Sequence, residues 1–300
     1  MIEVDHLAKR YGSQRAVDDL SFVVRPGKVT GFLGPNGAGK TTTLRAATDL
    51  IRADKGRVTF DGQAYRELLQ PMRHVGVALE PTAFHPGRTA SDHLMMLAPY
   101  AGVDHRRCAT VLGLVGLEEA AGKRVGGFSL GMRGRLSLAA ALLGNPEFLL
   151  LDEPVNGLDP EGIRWMRQLL RELADEGRTV LISSHLLSEV EQTVDEVVII
   201  AQGRLVFQGS LAALEASTAA WVSVESSEPE AVREVARRRG WSLPPDGAHH
   251  GRTVWIGGAT STEVAVAIVQ AGIPLEGLSS SSSDLESIFL SMTAGQGGIR

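Results

Sequence analysis

Short apolar stretches punctuate the first two thirds of the chain, at residues 22–24, 29–33, 75–79, 148–151, 180–183 and 197–201. They are rich in β-branched residues, and several lack the polar alternation of a half-exposed strand. Runs of that kind belong to strands covered on both faces. Between them lie segments with helical spacing, such as residues 161–176. Strands alternating with helices predict an α/β layered domain around a mainly parallel sheet. Residues 88–128 break the rhythm. They hold two helical stretches, about 90–101 and 106–115, and no convincing strand, so a helical insert is expected there.

The pattern changes after about residue 215. An alternating strand at 221–225 is followed by a charged helix at 230–239, a turn-rich stretch at 243–251, a strand at 253–256 and a helix at 262–271. The serine run 279–283 reads as a flexible turn before a last helix at 284–292. The expected organisation is one large domain over residues 1–215 and a small α+β domain over 216–300.

Composition narrows the function classes. The chain has 300 residues, 43% hydrophobic and 22% charged, with a net charge of −5. Nothing in that balance attracts nucleic acid, and no nucleic-acid partner is expected. The one cysteine, Cys108, rules out an intrachain disulfide and suits a reducing compartment. The N-terminus lacks the apolar core of a signal peptide. No apolar run approaches the roughly 20 residues of a membrane helix. Work at a membrane would need a separate spanning partner.

The sharpest chemistry lies after the apolar run 29–33. Gly34-Pro35-Asn36-Gly37-Ala38-Gly39-Lys40-Thr41 has the spacing G-x-x-x-x-G-K-[ST] and opens a predicted helix at 42–50. Glycines let backbone amides converge on phosphate oxygens, and the helix N-terminus adds a favourable dipole. Lys40 supplies a point charge for the β- and γ-phosphates, and Thr41 a hydroxyl ligand for Mg²⁺. The expected cofactors are therefore ATP and Mg²⁺. A second strand, Phe148-Leu149-Leu150-Leu151, delivers Asp152 and Glu153 at its C-terminal end. Asp152 suits a Mg²⁺ ligand, and Glu153 a base for the attacking water.

With these residues in order, residues 1–215 resemble the nucleotide-binding subunit of an ABC transporter. Gly34 to Thr42 match Walker A, and 148–152 match Walker B with Glu153 as catalytic glutamate. The resemblance implies further roles. Tyr11 would stack on adenine, with Val17 beside it. Ser129-Leu130-Gly131-Met132 occupies the signature position, where Ser129 and the Gly131 amide would reach the ATP of a partner subunit. Asn156-Gly157-Leu158-Asp159 would be the D-loop, with Asp159 linking the two sites, and His185 matches the switch histidine at the γ-phosphate. The implied fold is a P-loop NTPase core of the ABC type with a helical subdomain at about 88–128. The implied assembly is a head-to-tail pair with a second ATPase subunit, expected to be another copy, together with a separate transmembrane permease. That would place the chain at the cytoplasmic face of the membrane as a peripheral protein. The insert 88–128 and the loop after Glu80 would receive the permease.

The chain departs from the family pattern in places. Leu130 replaces a glycine and Met132 a glutamine in L-S-G-G-Q. Glu80 stands where a glutamine usually touches Mg²⁺; a carboxylate can ligate Mg²⁺ too. The C-terminal domain is an addition to the minimal ATPase. Its stretch Asp284-Leu285-Glu286-Ser287-Ile288-Phe289-Leu290 is similar to the end of many bacterial drug- and peptide-antibiotic-export ATPase subunits, which makes export the expected direction. The alternative is a soluble ABC-type ATPase not coupled to transport. Its DNA-repair members carry long coiled coils or zinc modules between the Walker motifs, and this chain has neither. A nucleotide-binding module without turnover is disfavoured by the presence of both Glu153 and His185.

Overall fold

A computed structural model describes residues 1–79, 84–217, 221–243 and 252–281. The chain forms two compact units that meet in sequence at Leu211 and Ala212. That junction falls a few residues before the expected one.

The first unit begins with β1 (Ile2–Tyr11), β2 (Gln14–Val24) and β3 (Lys28–Leu33), then α1 (Lys40–Ala47), β4 (Lys55–Phe60) and β5 (Val75–Ala78). The insert follows as α2 (Ala90–Ala101) and α3 (Arg106–Leu114), and leads into α4 (Leu130–Leu142). Then come β6 (Phe148–Asp152), α5 (Pro160–Asp175), β7 (Thr179–Ser184), α6 (Leu187–Val190), β8 (Glu196–Ala201) and β9 (Arg204–Ser210). α7 (Leu211–Ser217) spans the junction. The second unit carries β10 (Trp221–Glu225), α8 (Pro229–Arg238), β11 (Thr253–Ile256), α9 (Ser261–Gln270) and β12 (Gly277–Ser281).

The central sheet has the order β5-β6-β7-β3-β8-β9 and is parallel except for the β8–β9 pair. Its inner strands are covered on both faces: Leu149, Leu150, Leu151, Val180, Val197 and Val198 are all fully buried. A second sheet, β2-β1-β4, is antiparallel. Its apolar face joins α1 and the central sheet in one core that includes Ile2, Leu7, Leu20, Phe22, Phe32, Leu44, Phe60 and Phe148. Ring contacts tie the two sheets together, Phe22 to Phe32 with centroids 5.1 Å apart and Phe60 to Phe148 at 5.3 Å.

Helix starts follow local chemistry. Thr89 caps α2 in a reciprocal box with Asp92, and Asp159 caps α5 by accepting from the Gly162 amide at 2.8 Å, with Pro160 at the first helical position. α5 buries Met166, Leu169, Leu170 and Leu173 along one stripe.

The second unit has its own core of Val222, Val224, Val232, Val254, Ile256, Val264 and Ile268. Its sheet has the order β11-β10-β12 and is antiparallel throughout. The serine run corrects the sequence reading. Ser279, Ser280 and Ser281 are not a turn; they form strand β12 against Ser223, Val222 and Trp221. Glu80 and the predicted helix 284–292 lie outside the described residues. Among the described residues, no helix is long and apolar enough to cross a membrane.

Candidate active site

Adjacent strands β6, β7 and β3 end on the same edge of the parallel sheet, and the chemistry collects there. This is the edge at which open α/β sheets bind ligands. The register sets Leu33 beside Ser184, and Asp152 beside Ser183.

The loop from Gly34 to Gly39 carries the chain from β3 into α1. At Gly39 φ is 107°, and a Cβ would run into the Ala16 carbonyl, so the turn accepts only glycine. Lys40 opens α1 with its side chain buried. Its ammonium donates to the Gly34 carbonyl at 2.6 Å and to the Pro35 carbonyl at 3.4 Å, and lies 3.8 Å from Glu153 Oε1. Burial pulls the Lys40 pKa below its ordinary value, and the carboxylates of Glu153 and Asp152 oppose that shift. The α1 amides and the positive end of the helix face the cleft with this lysine, which makes a site for an anion.

Thr41 Oγ1 donates to Asp152 Oδ2 at 2.7 Å. A hydroxyl and a carboxylate oxygen side by side are the hard donors that Mg²⁺ selects, so this pair fits that ion. The other oxygen of Asp152 accepts from Ser183 Oγ. Glu153 follows with φ at 50°, a left-handed backbone that costs on the order of 1–3 kcal/mol outside glycine. Its carboxylate meets His185 Nδ1 at 2.9 Å. Glu189 reaches the same corner, where it accepts from Ser184 Oγ at 2.6 Å.

Lys40, Thr41, Glu153 and His185 border a cleft of about 500 Å³. Its walls bring together residues 36–42, Glu153 and His185 with Tyr11, whose ring is half exposed at the end of β1. Lys9 Nζ lies 5.5 Å from the centre of that ring. Val17 sits beneath the wall, 1% exposed, while its neighbour Ala16 reaches the surface.

The signature segment lies elsewhere. Ser129, Gly131 and Met132 line a second cavity of about 660 Å³, together with Gly157, Leu158 and Asp159. Ser129 is the N-cap of α4, accepting from the Met132 amide at 3.2 Å, so this helix also opens on its cavity. Leu130 turns away and packs on Gly157. Asn156 lines the first cleft, and the next three residues line the second. Gln14, Ala16 and Ser183 join the site without having been singled out in the sequence. Ser183 lies within a segment already read as functional, but nothing local marks its side chain.

A family model described as ABC transporter matches residues 17–156. Bacitracin transport ATP-binding protein BcrA of Bacillus licheniformis is 46% identical over 209 residues, which are 68% of each chain. ABC transporter ATP-binding protein YcbN of Bacillus subtilis (strain 168) is 32% identical over 300 residues, 98% of this chain and 97% of its own. A solved ATP binding subunit of an ABC transporter superposes with a TM-score of 0.65 at 25% identity, over 90% of this chain and 99% of that one. A glycine-rich loop with a buried lysine, an acid pair and a histidine on one sheet edge, with relatives matching at this level, leave one conclusion: the chain belongs to the ABC transporter ATP-binding subunits and is an ATPase.

Proposed function

We propose that the chain binds MgATP in the cleft at the head of α1, hydrolyses it with a partner subunit closed over the site, and drives export through a separate permease. One observation carries this reading. The Glu153 carboxylate faces His185 at 2.9 Å and Lys40 at 3.8 Å at the mouth of the phosphate loop, where a water attacking the γ-phosphorus needs its base.

The residues then have these roles. Tyr11 stacks on the adenine. Lys40 exchanges the loop carbonyls for phosphate oxygens, and the amides of residues 37–42 hold the rest of the triphosphate. Thr41 and Asp152 hold Mg²⁺, which offsets charge on the β- and γ-phosphates when bound. Glu153 takes the proton of the attacking water onto a carboxylate oxygen, and His185 keeps that carboxylate oriented.

Ser129 and Gly131 line a different cavity from Lys40 and Glu153, so the signature residues and the phosphate loop do not meet in one chain. A second copy packed head to tail supplies the missing half, with Asp159 at the junction. Closure then excludes water and completes the catalytic set.

The permease seats beside the helical insert. Leu50, Ile51, Val77, Leu79, Phe84 and His93 line a largely apolar groove of about 520 Å³ beside the helical insert. The Bacillus licheniformis relative is named for bacitracin transport. With the closing sequence 284–290, that supports a drug- or peptide-antibiotic-like cargo and a peripheral place on the cytoplasmic face.

The test is Glu153→Gln. It should lower turnover by about 10²-fold or more and trap an ATP-dependent dimer on size exclusion. A variant that stays monomeric with ATP would sink the shared-site mechanism. Co-purification from membranes with a spanning partner tests the transport half.

A further inference from the structure

Ser183 belongs to none of the motifs above, yet its hydroxyl sits between the two acids. The side chain is fully buried, and the strand register places it directly across from Asp152. Ser183 Oγ donates to Asp152 Oδ1 and accepts from the Glu153 amide at 3.0 Å. The hydroxyl's one proton and one of its lone pairs are thus both used.

Each bond does a different task. The first ties one oxygen of Asp152 and leaves the other for Thr41 Oγ1 at 2.7 Å. A carboxylate held at one oxygen cannot turn its second oxygen away from the Mg²⁺ position. The other bond anchors the backbone where it is least favourable. Strand β6 ends at Asp152, so the Glu153 amide lies beyond the ladder. Glu153 precedes Pro154, which disfavours the right-handed helical region, and it adopts φ 50°. Whatever holds that conformation also sets the direction in which the Glu153 carboxylate leaves the chain.

We propose that Ser183 is a positioning residue for hydrolysis, fixing the Mg²⁺-facing oxygen of Asp152 and the aim of Glu153 through one hydroxyl. This rests on the MgATP reading above. It assigns Ser183 no contact with nucleotide. A space-filling role would show in stability alone, whereas this one shows in the response to metal.

The experiment titrates Mg²⁺ into the full-length chain with a fluorescent, non-hydrolysable ATP analogue, and follows turnover separately. For Ser183→Ala, the Mg²⁺ concentration giving half of the metal-dependent tightening should rise by about ten-fold, the scale of loss for residues that orient metal ligands. Analogue binding without Mg²⁺ should stay within about two-fold, and kcat should fall with little change in KM. Ser183→Thr keeps the hydroxyl and should recover most of both responses. If Ser183→Ala does not fold, Ser183→Thr and Ser183→Cys make the comparison at similar volume, and only the thiol should lose the metal response. A wild-type chain that ignores Mg²⁺ would overturn the MgATP reading and this proposal together. A wild-type chain that responds, with Ser183→Ala (or Ser183→Cys) responding identically, overturns this proposal alone.

Discussion

Leu130 lies directly against Gly157: a Cβ on Gly157 would come within 2.5 Å of Leu130 Cδ2 and 2.7 Å of its Cγ. Leu130, which stands where the family pattern has a glycine, is thereby fitted to Gly157. Gly157 also has φ at 75°, where a side chain is strained in any case. Gly157→Ala should destabilise the chain by more than about 1 kcal/mol and reduce ATPase activity. Adding Leu130→Ala removes the two closest contacts but leaves its own Cβ at 3.2 Å and the backbone strain, so rescue should be partial. A double-mutant cycle on thermal stability should give a coupling of about 0.5–3 kcal/mol. Strictly additive effects would mean the two residues act separately.

Tyr11 should carry base affinity without phosphate affinity. Tyr11→Ala should weaken ATP binding by about 1–3 kcal/mol, the range for an aromatic stacked on a base, and Tyr11→Trp should retain it. Binding of Mg²⁺-tripolyphosphate, which has no base, should not change in either variant. Equilibrium titration of both ligands reads the difference.

His93 makes part of the stability depend on pH. It is 8% exposed, its Nδ1 has no hydrogen-bond partner among the described residues, and its ring meets the Phe84 ring edge to face at 4.8 Å. Burial, and then the charge of Arg88, pull its pKa below the ordinary 6.5. Between the folded value and 6.5 the unfolded chain holds a proton that the folded chain refuses. Stability from this source is therefore complete above the unfolded value and drains as pH falls toward the folded one. Its slope is at most about 1.4 kcal/mol per pH unit. Thermal melts taken downward from about pH 7.5 enter that window below 6.5, and His93→Leu should flatten the decline. An unchanged slope would remove His93 as its source.

The second unit should unfold on its own core. Ile256 is fully buried there. Ile256→Ala should cost that unit about 2–5 kcal/mol while leaving ATP affinity untouched. ATP should raise the unfolding temperature of the first unit alone, as expected for a ligand that binds one folded unit. Calorimetry with and without nucleotide resolves the two transitions.

What could be read from the sequence was what is local. The phosphate loop and the acid pair are contiguous, so their residue types and spacing carry the chemistry directly. The parallel strands were visible because burial on both faces makes them uniformly apolar. Of the β2-β1-β4 sheet only residues 22–24, the end of β2, were visible, and the reason is in its backbone. β1 pairs with β2 through register shifts between Val4 and Leu7, and His6 and Asp19 take φ of 48° and 57°. Bulges of that kind break the period of two on which a strand reading depends. The strand at Ser279–Ser281 failed for another reason. Serine has little preference for strands, and there pairing with β10 decides the conformation. Ser183 was hidden because its partners lie 30 and 31 residues back along the chain.

Asn156 borders one cavity and Gly157, Leu158 and Asp159 border the other. A two-fold axis would turn that short segment into a pair of crossing wires. Each copy would touch the nucleotide it holds and the nucleotide its neighbour holds, within four consecutive residues. Such wiring cannot be cut on one side only: a substitution in the segment appears once in each of the two pockets. The symmetric pair would then behave as a single switch with two fuses, and an asymmetric pair, built from two different subunits, is the arrangement in which the two pockets could be told apart.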